Sequence, residues 1–413
     1  MKEKYLIFTG FVGGYGGIVK AKRFIISLQE RGIYPIIVTE EKYSGNLTRF
    51  DLSPDVTIRR RERIEDNYVE VAKALDSVDY DMMISFGPRT FGPKHATDTG
   101  RKAVIVDGGL PPFLGEAATD HAREVYQSLD SFILTCHFPW CPSSEVLSDY
   151  LNIPVKVLSQ PIDESTRQVL LYHRNMTENE IIARRNSFCL RFGQEYKGEL
   201  LLPVRMSSLY LDEKNLEKNS GWLKQHEFDQ TKLFLEHLIT TLGSTGEQVI
   251  VPINSKIARR FEQLLASYSN ITVLPLPFLL QEECLELSRI AHLNIDRAIR
   301  DVTQFEIAAS GSYGIVCPCP TQYMHEDITA EEADQRGIIK NIPITTPDLG
   351  SRILEYIGSD HYHASREIRI GLWEEMYSTR NIIDVITRGD KTKRKSRRED
   401  YFEEGIRAFQ LSL

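Results

Sequence analysis

The chain has 413 residues and a formal net charge of -8, from 50 Lys and Arg against 58 Asp and Glu. That length supports two domains with full cores, since single cores stop growing near ~250–300 residues, and the acidic balance argues against a nucleic-acid binder, whose footprint is a basic face. Six scattered cysteines fit reduced intracellular thiols, and neither a signal-type N-terminus nor an apolar run near ~18 residues is found, so a cytoplasmic protein without a membrane span is expected.

Lys4 to Thr9 reads as a short apolar strand, followed by the glycine-rich turn Gly10 to Gly17 and a helix from Ile18 to Arg31 that ends at Gly32. A second strand starts at Tyr34 and runs to Thr39. Strand, glycine-rich turn, helix, glycine and strand is the opening of a doubly wound α/β domain. The turn is not the Gly-x-Gly-x-x-Gly fingerprint with its later acidic residue, and no Lys-Ser/Thr closes it as in a P-loop, so neither NAD nor a P-loop nucleotide is expected. Gly13, Gly14, Tyr15, Gly16 and Gly17 instead read as a loop that lets a ligand approach the backbone.

Further strands are expected at Asp81 to Phe86, Ala103 to Val106, Ser131 to Thr135 and Val155 to Leu158. Ligands in open α/β sheets bind beyond the carboxyl ends of strands, so Asp107, with Gly108 and Gly109 after it, and the turn Ser85 to Arg89 should rim the site. Asp107 is either a general base or the cap of the following turn. His95 and His121 are nearby alternatives that read more readily as surface helix residues. Cys136-His137 with Cys141 has poor zinc spacing and no second pair, so no metal and no cofactor is expected.

The polar stretch Asp163 to Lys197 reads as helix plus linker, and the strand-then-turn plan returns at Glu199 to Arg205. A helix from Phe228 to Leu242, a strand from Gln248 to Pro252, a helix from Lys256 to Ser267, a strand from Ile271 to Leu276 and a helix from Gln281 to Ile290 follow. After the short strand His292 to Asp296 a new helix opens near Thr303. Thr303 and Glu306 have capping-box spacing, and Gly311 ends the helix where positive φ is needed, just before a strand Gly314 to Cys317. Helices are then expected at Ala330 to Gly337, Leu349 to Ile357 and Ala364 to Tyr377. The run Lys391 to Arg398 is a solvated helix end or a seat for an anionic acceptor or membrane surface.

A helix N-terminus just after a parallel strand gathers unpaired N–H groups and partial positive charge, which suits a diphosphate. Arg297 and Arg300 stand immediately before it, and Glu306, one turn in, can accept two hydroxyl hydrogen bonds from a ribose or sugar. The combination suggests a nucleotide-sugar site.

Thr303-Gln-Phe-Glu-Ile-Ala-Ala-Ser-Gly311, followed by Ile315-Val-Cys-Pro318, resembles the donor-binding segment of GT-B glycosyltransferases, in particular the branch of the peptidoglycan GlcNAc transferase. In that family a helix carrying this Glu binds the nucleotide ribose. A Pro-x-Gln/His-x-x-Asp segment after the next strand reaches the transferred sugar, and Pro320 to Asp327 stands in the matching place. The resemblance implies two Rossmann-like doubly wound domains facing a cleft: residues 1–190 on the acceptor side, 191–375 binding the nucleotide sugar, and C-terminal helices over 376–413 crossing back.

It also implies a UDP-sugar donor, a small-molecule acceptor and metal-independent sugar transfer, since there is no Asp-x-Asp of the kind by which the other glycosyltransferase architecture holds a divalent ion. Donor contacts would come from Arg205, Phe278, Arg297, Arg300, Thr303, Gln304 and Glu306, with Gln322, Glu326 and Asp327 at the sugar. Catalysis would fall to Asp107, with His325 next in line. Where the family's first loop has Gly-Gly-His this chain has Gly16-Gly17-Ile18, which removes one catalytic or acceptor-binding candidate and leaves the acceptor open. Sugar-nucleotide 2-epimerases and hydrolases share the fold, and a non-catalytic nucleotide-sugar binder is the third possibility.

Overall fold

Parallel strands alternate with helices through the computed structural model, which describes residues 3–9, 15–48, 51–59, 64–86, 91–107, 120–135, 148, 155–158, 163–205, 225–277, 279, 281–297, 307, 310–317, 334–337, 339–379, 382–383 and 386. The chain divides into two compact units, Met1–Arg167 with Glu375–Leu413, and Gln168–Glu374. Both divisions fall inside helices, Glu164–Arg174 and Asp360–Thr379. In the C-terminal stretch of the first unit, Ile382 and Ile383 are fully buried.

The first unit contains β1 (Tyr5–Phe8), β2 (Ile36–Glu40), β3 (Val56–Ile58), β4 (Met82–Phe86), β5 (Lys102–Asp107), β6 (Ser131–Thr135) and β7 (Val155–Leu158). They form one sheet in the order β3-β2-β1-β4-β5-β6-β7, every described pair parallel. Side chains alternate across a strand, and here both faces are covered: Leu6 and Phe8 join one core with Met83, Ile105 and Phe132, while Tyr5 and Ile7 are buried as well. The near-continuous apolar runs of these strands are therefore what a doubly covered parallel sheet requires. The helix after β1 spans Tyr15–Gln29, so Tyr15, Gly16 and Gly17 belong to its first turn rather than to the expected loop.

The second unit contains β8 (Leu200–Leu201), β9 (Val204–Arg205), β10 (Val249–Asn254), β11 (Ile271–Leu276), β12 (Asn294–Asp296), β13 (Gly314–Val316) and β14 (Lys340–Asn341). β8 and β9 are one strand read on either side of Pro203. β8 pairs with β10 in the order β11-β10-β8, and β9 pairs with β12 in the order β14-β13-β12-β9. Counted along the chain, this repeats the 3-2-1-4-5-6 order of the first unit, the doubly wound plan. Alternation again splits the core, with Val249, Val251 and Ile253 on one face and Ile250, Leu274 and Leu276 on the other. Helix Leu349–Ile357 crosses helix Gln225–Gly243 so closely that a Cβ on Gly350 would lie 2.5 Å from the backbone carbon of Thr241.

The stretch from Asp163 to Lys197, expected as helix plus linker, is helical over Glu164–Arg174 and Glu178–Arg191, the second helix packed into the second unit's core and opened by a capping box in which Thr177 and Glu180 each serve the other's backbone N–H. The expected helix over Lys256 to Ser267 is two, Ser255–Arg260 and Glu262–Leu265, broken at Phe261.

Candidate functional site at the carboxyl edge of the second sheet

In a 3-2-1-4 sheet the strand order reverses between strands 1 and 4, and a crevice opens beyond their carboxyl ends. In the second unit those strands are β9 and β12. Their last residues are register partners, Arg205 beside Asp296, with Arg297 immediately after.

Arg205 is held by its own unit. Its Nε donates to Asn294 Oδ1 at 3.1 Å, and Nη2 donates to the carbonyl of Cys284 at 3.0 Å and to Ser288 Oγ. Helix Gln281–Ile290, which supplies Cys284 and Ser288, thus fixes the guanidinium at the switch point. Asn294 is fixed in turn, its Nδ2 donating to the carbonyls of Ser288 at 3.0 Å and Tyr313 at 2.8 Å. Arg205 is expected among the donor contacts. Two of its nitrogens are committed to internal acceptors, so its charge at the edge is positional, set by bonds made elsewhere.

Asp296 is buried, and burial pushes its carboxyl up to about 7 against the opposing pull of Arg205. A carboxyl that titrates near neutrality can donate a hydrogen bond as the acid or accept one as the anion. Sequence reasoning passed over this residue for Arg297 and Arg300. The signal was there, an acidic residue closing an apolar strand at a switch point. Arg297 is likewise buried.

The helix expected after β12 is described at Ile307 and at its C-terminus. Ser312 N–H donates to the Ile307 carbonyl at 2.9 Å, and Gly311 has φ of 68°, which together make a Schellman end with glycine at the left-handed position. Arg366 packs on that glycine, its Nη2 3.1 Å from where a Cβ would stand, and its Nε donates to the Gly311 carbonyl at 2.9 Å. Thr303, Gln304 and Glu306 lie outside the described residues, as do Gly13, Gly14, Phe278, Arg300, Gln322, His325, Glu326 and Asp327.

In the first unit Asp107 is the last residue of β5, where Leu134 of β6 is its register partner. Only its backbone is described, as for Tyr15, Gly16 and Gly17. The switch point of that sheet lies one strand away, between β1 and β4. His95, expected at the surface, is buried, because helix Phe91–Asp98 turns Gly92, Pro93, His95 and Ala96 inward, and its Nε2 lies 2.8 Å from Asp76 Oδ1. His121 has a described backbone within helix Asp120–Ser128. One Asp-x-Asp does occur, Asp79-Tyr80-Asp81, but it sits at the amino end of β4, where Asp81 Oδ2 accepts the Lys4 backbone N–H at 2.8 Å and Asp79 pairs with the Lys4 ammonium. Among the described residues no group of three His, Cys, Asp or Glu could hold a metal ion, and no helix is long and apolar enough to cross a membrane.

No protein-family model matches the chain, and no curated protein matches it in sequence. Solved structures do match in fold. The chain is similar to MurG from Acinetobacter baumannii at 14% identity, over 91% of this chain and 95% of that one, with a TM-score of 0.53. It is similar to the UDP-GlcNAc 2-epimerase from Neisseria meningitidis bound to UDP-GlcNAc at 14% identity, over 91% and 99%, with a TM-score of 0.55. It is similar to HepE from Anabaena in complex with UDP and glucose at 11% identity, over 94% and 100%, with a TM-score of 0.61. The fold is thus the one expected from sequence, two doubly wound α/β units of the GT-B kind.

Proposed function

We propose that the chain is a nucleotide-sugar glycosyltransferase that moves a sugar from a UDP-sugar to a small-molecule acceptor, with residues 191–375 binding the donor and 1–190 serving the acceptor. The observation that carries this reading is the second unit's switch point, where Arg205 and Asp296 close β9 and β12 directly before the segment that resembles a donor-binding helix. The fold is shared with enzymes whose structures hold UDP, UDP-GlcNAc or UDP-glucose, which supports the same ligand here.

In this reading the helix N-terminus after β12 seats the diphosphate with Arg297 and Arg300, and Thr303 and Gln304 belong to its first turn. Glu306 accepts two ribose hydroxyls, and Phe278 lines the donor. Gln322, Glu326 and Asp327 hold the transferred sugar. The acceptor atom forms a bond to the anomeric carbon, the bond from that carbon to the phosphate oxygen breaks, UDP leaves, and the acceptor's proton passes to Asp107, or to His325 if Asp107 only caps its turn.

Calorimetry with UDP and UDP-sugars tests the donor half. Glu306→Ala should lose roughly 1.5–3 kcal/mol of donor binding, the range for hydrogen bonds to a charged group, and unchanged affinity would remove Glu306 from the site. Asp107→Asn should lose at least about two decades of turnover with donor affinity held within a few-fold. Turnover should persist in EDTA.

The shared fold with 2-epimerases supports a second reading. NMR of UDP-GlcNAc incubated without acceptor separates the two, since an epimer or free sugar appears only if the donor alone is the substrate. Binding without any turnover would leave the non-catalytic reading.

A further inference from the structure

At the other end of the second sheet, where the chain enters β12 and β13, arginines converge from three helices. Arg185 comes from Glu178–Arg191, Arg289 from Gln281–Ile290, and Arg366 and Arg369 from Asp360–Thr379. Arg185, Arg289 and Arg369 are each more than nine-tenths buried. Arg366 and Arg369 are three apart on one helix and so share a face.

Their hydrogen bonds go largely to backbone carbonyls. Arg185 Nε donates to Ile290 O at 2.6 Å, Arg289 Nε to His173 O at 2.6 Å and its Nη2 to Met176 O at 3.3 Å. Arg366 donates to Gly311 O at 2.9 Å and Arg174 O at 3.2 Å, and Arg369 Nε to Ser365 O at 3.2 Å. Carbonyls satisfy donors without cancelling charge. Among the described residues the carboxylates paired with these arginines are Glu178, 3.9 Å from Arg185, and Glu367, 2.7 Å from Arg366, both on side chains about 70% exposed.

Arg369 is the extreme case. It is 2% exposed, and both Nη1 and Nη2 are buried without a hydrogen-bond partner. Tyr362, stacked on Tyr313 at 3.7 Å, belongs to the same helix, but its hydroxyl donates to His292 O, and the Tyr356 hydroxyl donates to Ser365 Oγ. The arginines also act on one another: burial lowers Arg289, with Arg366 and Arg185 adding to the effect, and burial brings Arg369 down to about 10. A buried cation left without a counter-charge costs several kcal/mol, and water can fill its donors but not offset its charge. Four guanidinium groups against two carboxylates leave a surplus of two positive charges, which the two negative charges of a phosphate monoester above its second pKa of ~6 would balance.

We propose that this arginine cluster, at the edge of the second sheet opposite Arg205 and Asp296, is a binding site for a small phosphate-bearing anion. Arg366, whose side chain keeps 24% exposure, is the outer member and meets the anion first, with Arg369 and Arg289 behind it. Guanidinium forks match phosphate oxygens bidentately.

The test uses the full chain, inorganic phosphate and glucose 1-phosphate, at low salt with chloride matched for ionic strength. Both phosphate compounds should raise the thermal midpoint of the wild type and of Arg205→Gln. The shift should vanish in Arg369→Met, and Arg366→Gln should weaken binding at least about tenfold. Because Arg366 is the more exposed of the two, its variant carries the test if Arg369→Met does not fold. Tighter binding of one probe identifies the source of the phosphate group, free or esterified. No phosphate-specific shift overturns the proposal, as does binding that Arg366→Gln leaves as tight as in the wild type, or a shift that is lost in Arg205→Gln. Failure of UDP to bind would sink the nucleotide-sugar reading and leave this site standing.

Discussion

The central strands of the two sheets have the same place in the same topology but are built differently. β1 runs unbroken and pairs along the same residues with both neighbours, Leu6 with Ile36 and Met83, Ile7 with Ile37 and Ile84. Its counterpart is divided at Pro203, so Leu200 and Leu201 pair with β10 while Val204 and Arg205 pair with β12. In a parallel sheet alternate residues address alternate neighbours. Leu202 N–H reaches Ile250 O on one side, and Pro203 O accepts from Ile295 on the other. Proline has no N–H to return, so one rung toward β12 is missing. A continuous strand makes a scaffold; an interrupted one lets its last residues follow a single neighbour, and that is what sets Arg205 beside Asp296.

With a shortened ladder, the second unit depends on close helix cover. Gly350→Val should show this most strongly, because the added Cβ would meet the Thr241 carbon at 2.5 Å and the Leu242 nitrogen at 2.6 Å, backbone that cannot rotate away. A loss of about 3 kcal/mol or more is expected by urea unfolding, the upper range for overpacking. The unfolding transition of the first unit should keep its midpoint. If both shift together, or neither does, the contrast between the units fails.

Much of this was legible beforehand. β6, β7, β11 and the helices Gln281–Ile290 and Leu349–Ile357 fall where apolar runs and helical periodicity place them, because each is long enough for its pattern to repeat. Gly311 declared its positive φ through its place after a helix. β3 and β14 escaped notice, the first a three-residue edge strand and the second Lys340–Asn341, held to Asp334 through the Lys340 ammonium and the Asn341 N–H rather than by apolar burial. His95 looked like a surface residue because its burial depends on which way a short helix is turned. The arginine cluster could not be read at all: its members are separated in sequence and meet only once three helices have packed.

Asp296 gives the next largest effect, this time with pH. Its carboxyl is raised from 3.8 to about 7, so the folded protein holds a proton that the unfolded chain has released. The stability this contributes is complete below pH ~4 and is lost as pH rises through about 7. His173, lowered to about 4, and His292, lowered to about 3, act in the opposite sense, their stability being lost as pH falls from 6.5. Asp296→Asn removes only the first arm. Relative to wild type it should gain stability between pH 4 and pH 7, on the order of 2–4 kcal/mol, and then level off. Urea midpoints at pH 5, 6 and 8 check this, and a difference that does not change with pH would show that Asp296 stays ionised.

The smallest effect goes to the repair beside the missing rung. Leu201 N–H, which points toward β12, donates to His292 Nδ1 at 2.9 Å, a side chain standing in for a strand carbonyl. That bond requires a neutral ring with its proton on Nε2, and burial, with the charge of Arg185 adding, keeps the ring neutral down to about 3. His292→Leu keeps the bulk but leaves a buried N–H without an acceptor, at a cost of about 1–2 kcal/mol. His292→Gln offers an amide oxygen at a similar reach and should recover part of that loss. Amide hydrogen exchange resolves the effect by residue: Leu201 should lose protection in the Leu variant and regain it in the Gln variant. Leu6 and Ile7, served by an unbroken backbone ladder, should not change in either. Equal protection of Leu201 in all three proteins would mean that the divided strand finds a backbone acceptor after all, and that the two central strands differ less than their pairing suggests.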